Sequence, residues 1–116
     1  MKTKGMIDVS GKIVTNREAI AQAIVKLNKS IIDKIKINKM PKGDVLENAK
    51  VAGILAAKKT SELIPLCHNI NLEYVSIDFK FIKNRILIVS SVKAIHKTGV
   101  EMESLSAVTI AALTIY

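Results

Sequence analysis

The stretch Tyr74–His96, YVSIDFKFIKNRILIVSSVKAIH, decides the fold. Val75, Ile77, Phe79 and Phe81 alternate with Tyr74, Ser76, Asp78 and Lys80, the period of two that gathers apolar side chains on one face of a strand. Lys83-Asn84 supplies a two-residue turn, Asn being a residue that tolerates positive φ. Arg85–His96 then returns as the second strand of a hairpin. Both phenylalanines fall on the apolar face, which makes them core residues rather than contacts for stacked bases.

Upstream, Ala19, Ala21, Ala23, Val25 and Leu27 alternate with Ile20, Gln22, Ile24 and Lys26. That favours a strand over Thr15–Leu27, although alanine's helix propensity and Glu18 would also allow a helix. Asn28 or Ser30 can cap a short helix carrying Ile31, Ile32 and Ile35, with Met40-Pro41 expected to end it. Lysines 29, 34, 36 and 39 read as its solvated face. Asp44 followed by Glu47 resembles a capping box and starts a longer helix near Val45, running to about Leu63, before Pro65 forces Ile64 to be extended. Ala49, Ala52, Gly53, Ala56 and Ala57 recur at spacings of three and four, a small face that lets another backbone approach; core packing is the favoured reading, a subunit contact the alternative. Downstream, Thr98–Glu101 reads as a second capping box. It opens a helix to Tyr116 with an apolar stripe of Met102, Leu105, Val108, Ala112 and Ile115, widened by Ala107 and Ala111. At the start, a flexible arm of residues 1–5 leads into a short extended piece, Met6–Val9, and a turn at Ser10-Gly11. Strand, helix, helix, strand, strand, helix reads as an α+β fold in a single domain, 1–116.

With 18 basic and 10 acidic residues, the formal charge is +8, which favours anionic partners. No Trp, two Tyr and two Phe leave little for a base-stacking platform. The one cysteine, Cys67, excludes an internal disulfide and a cysteine metal cluster. No apolar run spans a membrane and no signal peptide pattern is seen, so a cytoplasmic location is expected.

Several side chains are candidates for chemistry. Lys42 precedes Gly43 at a helix entrance, where free N–H groups and the helix dipole favour an anion; a solvated loop lysine is the alternative. The P-loop pattern is missing. Lys58 and Lys59 sit in a basic last turn. His68 follows a proline-fixed turn and suits general acid–base work near neutral pH. Cys67-His68 is weak as a metal motif, because adjacent ligands rarely close a site, and Cys67 has no evident partner as a nucleophile. Glu101 suits a capping role, which Glu103 does not. The two point in different directions and form no carboxylate dyad. Arg17 and His96 stand unassigned. On residues alone this is a small basic α+β domain with an anion pocket. A ferredoxin-like nucleic-acid-binding module is the serious rival, and a non-catalytic structural subunit a third reading.

Several runs carry a closer likeness: Met6–Ser10, Pro41–Val45, Ala52-Gly53-Ile54 with Ala56-Ala57-Lys58, Leu63–His68, Thr98–Glu103, and the closing Val108–Tyr116. In order and nearly over the whole chain, they resemble the cyclic pyranopterin monophosphate synthases, the molybdenum cofactor biosynthesis protein C family. The resemblance implies a ferredoxin-like antiparallel sheet with helices packed on one face. It also implies a lyase that turns 3′,8-cyclo-7,8-dihydroguanosine 5′-triphosphate into cyclic pyranopterin monophosphate and pyrophosphate. A homohexamer with sites at subunit interfaces is expected, without metal or cofactor, and without nucleic acid or membrane as partner. Leu66, Cys67 and His68 would line the substrate site with Met102 and Glu103. Lys42, Lys58 and Arg17 match basic positions of the family pocket, and Glu101 an acidic one. Lys42, His68 and Lys58 are the expected catalytic set. The family pattern continues past Thr-Ile-Tyr with Asp-Met-Cys-Lys, whose Asp and Lys are catalytic, whereas this sequence stops at Tyr116. The expectation is therefore a chain that folds and binds with little turnover.

Overall fold

A computed structural model describes residues 5–116; the rest of the expected N-terminal arm lies outside the described residues. The chain forms β1 (Thr15–Lys26), α1 (Lys29–Lys36), α2 (Val45–Lys58), α3 (Thr60–Leu63), β2 (Tyr74–Ile82), β3 (Arg85–His96) and α4 (Glu101–Ile115). The strands make one antiparallel sheet in the order β1-β3-β2, the ferredoxin-like arrangement of a β-α-β-β-α chain. The fold is α+β, as the sequence pattern and the family resemblance both implied.

The alternation along each strand sorts the two faces. Ala21 and Val25 of β1, Ile77 of β2, and Ile86, Ile88, Val92 and Ala94 of β3 are buried beneath the helices. β1 pairs with β3 from Thr15 opposite His96 to Lys26 opposite Arg85, so the period of two read in one strand is matched in the next. The other face carries exposed Ile20, Ile24, Tyr74, Ile82 and Ile95, with no helix of the described residues over it. Phe79 and Phe81 pack against the core at its edge, partly buried, and the Lys36 ammonium sits 5.2 Å from the Phe81 ring centre.

The small residues of α2 face inward. Ala49, Gly53, Ala56 and Ala57 are buried, Gly53 against α4 and β2. A methyl group on Gly53 would lie 2.8 Å from the Ala107 carbonyl oxygen and 3.3 Å from the Ala111 methyl, and would also collide with the end of Ile77. Such closeness is open only to glycine. The start of α2 (Val45, Asn48) and the end of α4 (Thr114, Ile115) border one cavity, so the two helices run antiparallel.

The structure corrects several boundaries. α1 ends at Lys36 rather than at Met40-Pro41: Asn38 takes φ 57°, and the Lys39 and Asn38 N–H groups donate to the carbonyls of Lys34 (2.9 Å) and Ile35 (3.1 Å). This is a Schellman closure with Asn at the left-handed position. α2 stops at Lys58, and the turn to Leu63 is a separate short helix, α3, begun where Lys59 departs from helical geometry (φ −107°, ψ 17°). In the hairpin turn it is Lys83, not Asn84, that carries the positive φ of 53°. At α4 no second capping box forms, for Val100 is the N-cap and has no capping side chain, while the Thr98 hydroxyl donates to the Gly99 carbonyl. The buried stripe of α4 runs through Ser104, Ala107, Val108, Ala111 and Ile115, leaving Met102 and Leu105 exposed. Helix against helix selects the small residues, which turns the bulky ones outward. The expected box at Asp44 does form on one side, the Glu47 N–H donating to Asp44 Oδ1 at 3.1 Å.

Replacing Gly53 by Ala should cost about 1–2 kcal/mol of stability, since the overpacking penalty outweighs the gain in helix propensity. Urea denaturation checks this; a stability equal to or above that of the unaltered chain would show that α2 and α4 can separate freely.

Candidate functional site

Three segments converge on a cavity of about 380 Å³ at the N-terminal end of α4. The first is the N-terminal segment, which contributes Ile7, Val9 and Lys12. The second is Leu66-Cys67-His68 with Ile70, and the third Thr98-Gly99 with Glu101-Met102-Glu103. Local chemistry places each of them. Pro65 and the extended Ile64 (φ −111°, ψ 108°) end α3, and the Cys67 N–H donates to the Ile64 carbonyl at 3.2 Å, swinging Cys67 and His68 toward α4. The His68 Nε2 lies 2.5 Å from the Ile7 carbonyl oxygen, tying this loop to the N-terminal segment. That segment is itself shaped by a turn, with the Lys12 N–H donating to Val9 and the Ser10 N–H to Asp8 Oδ1.

Behind the site, the Ser90 hydroxyl of β3 donates to the Ser104 carbonyl at 2.8 Å and fixes the first turn of α4 on the sheet. Arg17 reaches from β1 to donate to the carbonyls of His96 (3.3 Å) and Lys97 (3.0 Å), pinning the connection between β3 and α4. His96 continues this support, its Nδ1 accepting from the Thr98 N–H at 3.4 Å. Gly99 leaves room for the Glu101 carboxylate, which folds back over it.

Glu103 is 3% exposed and its carboxyl has no ion-pair partner among the described residues. Burial pushes its pKa up, its own backbone N–H partly offsets this, and the nearby Glu101 raises it further. Burial also raises the Cys67 thiol, with the Glu103 charge adding to the effect. Asp8, by contrast, is held below the usual carboxylate range by hydrogen bonds from Ser10. The cavity thus joins an imidazole to a carboxyl group biased toward its neutral, proton-donating form. Such a pair can move protons on a bound heterocycle. Among the described residues no three His, Cys, Asp or Glu side chains gather as a metal site.

Six of the expected site residues, Leu66, Cys67, His68, Glu101, Met102 and Glu103, come together here. Lys42, Lys58 and Arg17 do not line this cavity. Lys42 lies beside Thr114, Ile115 and Tyr116, at the far end of α4. With a rise of 1.5 Å per residue, the helix separates the two places by about 20 Å. Lys58 is the exposed last residue of α2. Arg17 lies with Glu18 and Lys93 at another surface cleft and touches the site only through the backbone it holds. Reasoning on single residues missed Ile7, Val9, Lys12, Thr98 and Gly99. The runs Met6–Ser10 and Thr98–Glu103 carried the signal as motifs without assigning roles.

These features define a small α+β domain with a pocket between a Cys-His loop and the start of a helix. The MoaC family model matches residues 6–116, and the chain belongs to the MoaC family. It is 53% identical over 111 residues to the "Probable cyclic pyranopterin monophosphate synthase" of Sulfolobus acidocaldarius, covering 96% of this chain and 78% of that protein. It is 52% identical to the cyclic pyranopterin monophosphate synthase of Peptoclostridium acidaminophilum, over 96% and 71% of the two chains. That of Listeria welshimeri is 53% identical, over 99% and 72%. The nucleic-acid alternative finds no support, and the open sheet face offers it a single aromatic residue, Tyr74, among isoleucines. No helix of the described residues is long and apolar enough to cross a membrane.

Glu103 gives the site a pH signature. A carboxyl whose pKa is higher folded than unfolded favours folding while it is protonated, below its ordinary value of 4.5, and this contribution is lost as pH rises through the raised folded value. The stability difference between Glu103→Gln and the unaltered protein should therefore grow in favour of the variant from about pH 4 to pH 7. Denaturant midpoints across that range measure it, and a pH-independent difference would refute a raised Glu103.

Proposed function

We propose that this protein is a cyclic pyranopterin monophosphate synthase. It converts 3′,8-cyclo-7,8-dihydroguanosine 5′-triphosphate into cyclic pyranopterin monophosphate with release of pyrophosphate, in molybdenum cofactor biosynthesis. The observation that carries the reading is the cavity in which Leu66-Cys67-His68 faces Met102-Glu103. His68 and the buried Glu103 supply an acid–base pair for rearranging the ring. A departing pyrophosphate needs cations to neutralise its developing charge, and Lys42, Lys58 and Arg17 are the family-type candidates.

One copy of the chain holds Lys42 about 20 Å from His68, a gap that no side chain bridges. A second copy resolves this by bringing its Lys42 to the His68 cavity of the first. The exposed Ile20, Ile24, Ile82 and Ile95 on the open sheet face supply apolar area for such contacts. The assembly is a cytoplasmic homohexamer, a trimer of dimers, with sites shared between subunits.

Isothermal titration with the cyclic nucleotide tests the reading. His68→Ala and Lys42→Ala should each weaken binding by about 10- to 100-fold, the worth of one hydrogen bond to a charged group. Dissociating the two variants and reassembling them together should restore a fraction of sites at the unaltered affinity. Two observations would overturn the proposal: nucleotide binding indifferent to His68, or mixed variants that recover nothing.

A further inference from the structure

At the hairpin end of the sheet, three cations surround a cleft of about 480 Å³ lined by Lys26, Leu27, Ile82, Lys83, Asn84 and Arg85, with no carboxylate among them. The length of β3 from Arg85 to His96 sets it on the order of 35 Å from the start of α4. Two local features work against the stability of this end. Lys26 stands directly opposite Arg85 in the register of β1 and β3. Such cross-strand neighbours bring their first side-chain carbons to about 5 Å, where like charges repel. The second feature is Lys83, which takes φ 53°, a left-handed conformation that glycine or asparagine adopts at less cost, while the adjacent Asn84 does not adopt it. No neighbour relieves either. Lys26, Lys83 and Arg85 make no ion pair among the described residues. On β2, Asp78 lies opposite Val89, about 13 Å along β3 from Arg85, and on α1 Asp33 is taken by Lys29 at 3.7 Å. The cleft is nonetheless held in shape, for the Leu27 N–H donates to the Asn84 carbonyl at 3.0 Å and fixes the turn against the end of β1.

We infer that the hairpin end is a second anion site, at which Lys26, Lys83 and Arg85 together hold a small polyphosphate, either free pyrophosphate or the phosphate chain of a nucleotide. A single carboxylate would leave most of this positive charge unmatched. A di- or triphosphate carries several charges on neighbouring oxygens and can meet all three cations at once. Arg85 offers a planar fork that takes one phosphate through two N–H groups, and the two ammonium groups add charge without a fixed geometry. With the anion bound, repulsion between Lys26 and Arg85 gives way to attraction toward a common partner. The features that weaken the free hairpin therefore serve the occupied one. The inference is independent of the synthase reading, because it uses none of the residues of that site.

Thermal melts of the full chain at low salt, with and without inorganic pyrophosphate, test this, with sodium chloride at matched ionic strength as the control for screening. Without the anion, Lys83→Gly and Arg85→Thr should each melt above the unaltered protein, since the first removes the left-handed lysine and the second the facing like charge. Pyrophosphate should raise the unaltered protein more than either variant, narrowing or inverting that order. Calorimetric titration should show the affinity of this site reduced by about tenfold or more in each variant. Lys50→Ala on α2 removes the same charge away from the cleft and should respond to pyrophosphate as the unaltered chain does. Pyrophosphate that also enters the cavity at α4 stabilises all these proteins alike and so drops out of the comparison. An equal response in the hairpin variants and the unaltered chain would overturn the inference. So would a response reproduced by sodium chloride, or a loss matched by Lys50→Ala, either of which reduces the effect to general electrostatics. Hairpin variants that melt below the unaltered protein without the anion would remove its premise and overturn it as well.

Discussion

The contact between Gly53 and the backbone of Ala107 sets the rest of the molecule. A side chain of any size at position 53 would hold α2 and α4 apart, because the Ala107 carbonyl would be only 2.8 Å from its first carbon. With hydrogen there, two helices rich in alanine close onto each other and together cover one face of the sheet. Dispersion attraction falls steeply with a gap of even half an ångström, so this closeness converts small side chains into a dense core. It also fixes both ends of α4 relative to α2. The far end thereby receives Lys42, and the near end receives the Cys67-His68 loop.

That geometry explains how the sites are distributed. A helix of 15 residues acts as a rigid spacer with a different cluster at each end. At its start, Ser90 anchors the Ser104 carbonyl while Arg17 and His96 hold the incoming connection, and Glu103 is buried near the Cys67 thiol with no ion-pair partner among the described residues. At its finish, Tyr116 is exposed next to Lys42. Neither cluster alone has the cations that a triphosphate and its leaving group require. The fold thus presents two separate clusters and an open sheet face that carries exposed isoleucines.

Strands were legible because their period of two is strict, and β3 begins and ends where the alternation placed it, Arg85 to His96. The twelve-residue β1 emerged from an alanine-rich run that propensity alone would have made a helix, since pairing along β3 overrides a weak local preference. Helix ends were less legible where their signal was subtle. Asn38 closes α1 by adopting a left-handed conformation that a lysine-rich context did not announce, whereas the proline two residues after Lys39 drew attention and does nothing to the helix. At α4 the Thr98–Glu101 spacing mimicked a capping box, yet the helix starts two residues later than that box requires, with Val100 rather than Thr98 as its N-cap. The stripe of Met102 and Leu105 misled for another reason. Hydrophobicity marks what can be buried, but at a close helix crossing size decides what is. Of the site, the Cys67-His68 loop and the first turn of α4 were readable as motifs. Their meeting with Ile7 and Val9 was not, because it joins residues some sixty positions apart, as His68 and Ile7 do.

Charge is distributed unevenly over the fold. The formal charge of +8 is not concentrated in the cavity, which holds one lysine, Lys12, against Glu101 and Glu103. Most cations lie elsewhere: along α1, and at the hairpin end where Lys26, Lys83 and Arg85 border a shallow cleft. At physiological salt, fields from exposed charges fade within about 8 Å, so these lysines can raise the local concentration of an anionic ligand but cannot hold it in place. Within one chain, holding an anion in place at this cavity then falls to the few charges of the cavity itself. Burial, which raises the Glu103 pKa, shifts that carboxyl toward its protonated form, in which it repels an anion less than a carboxylate does.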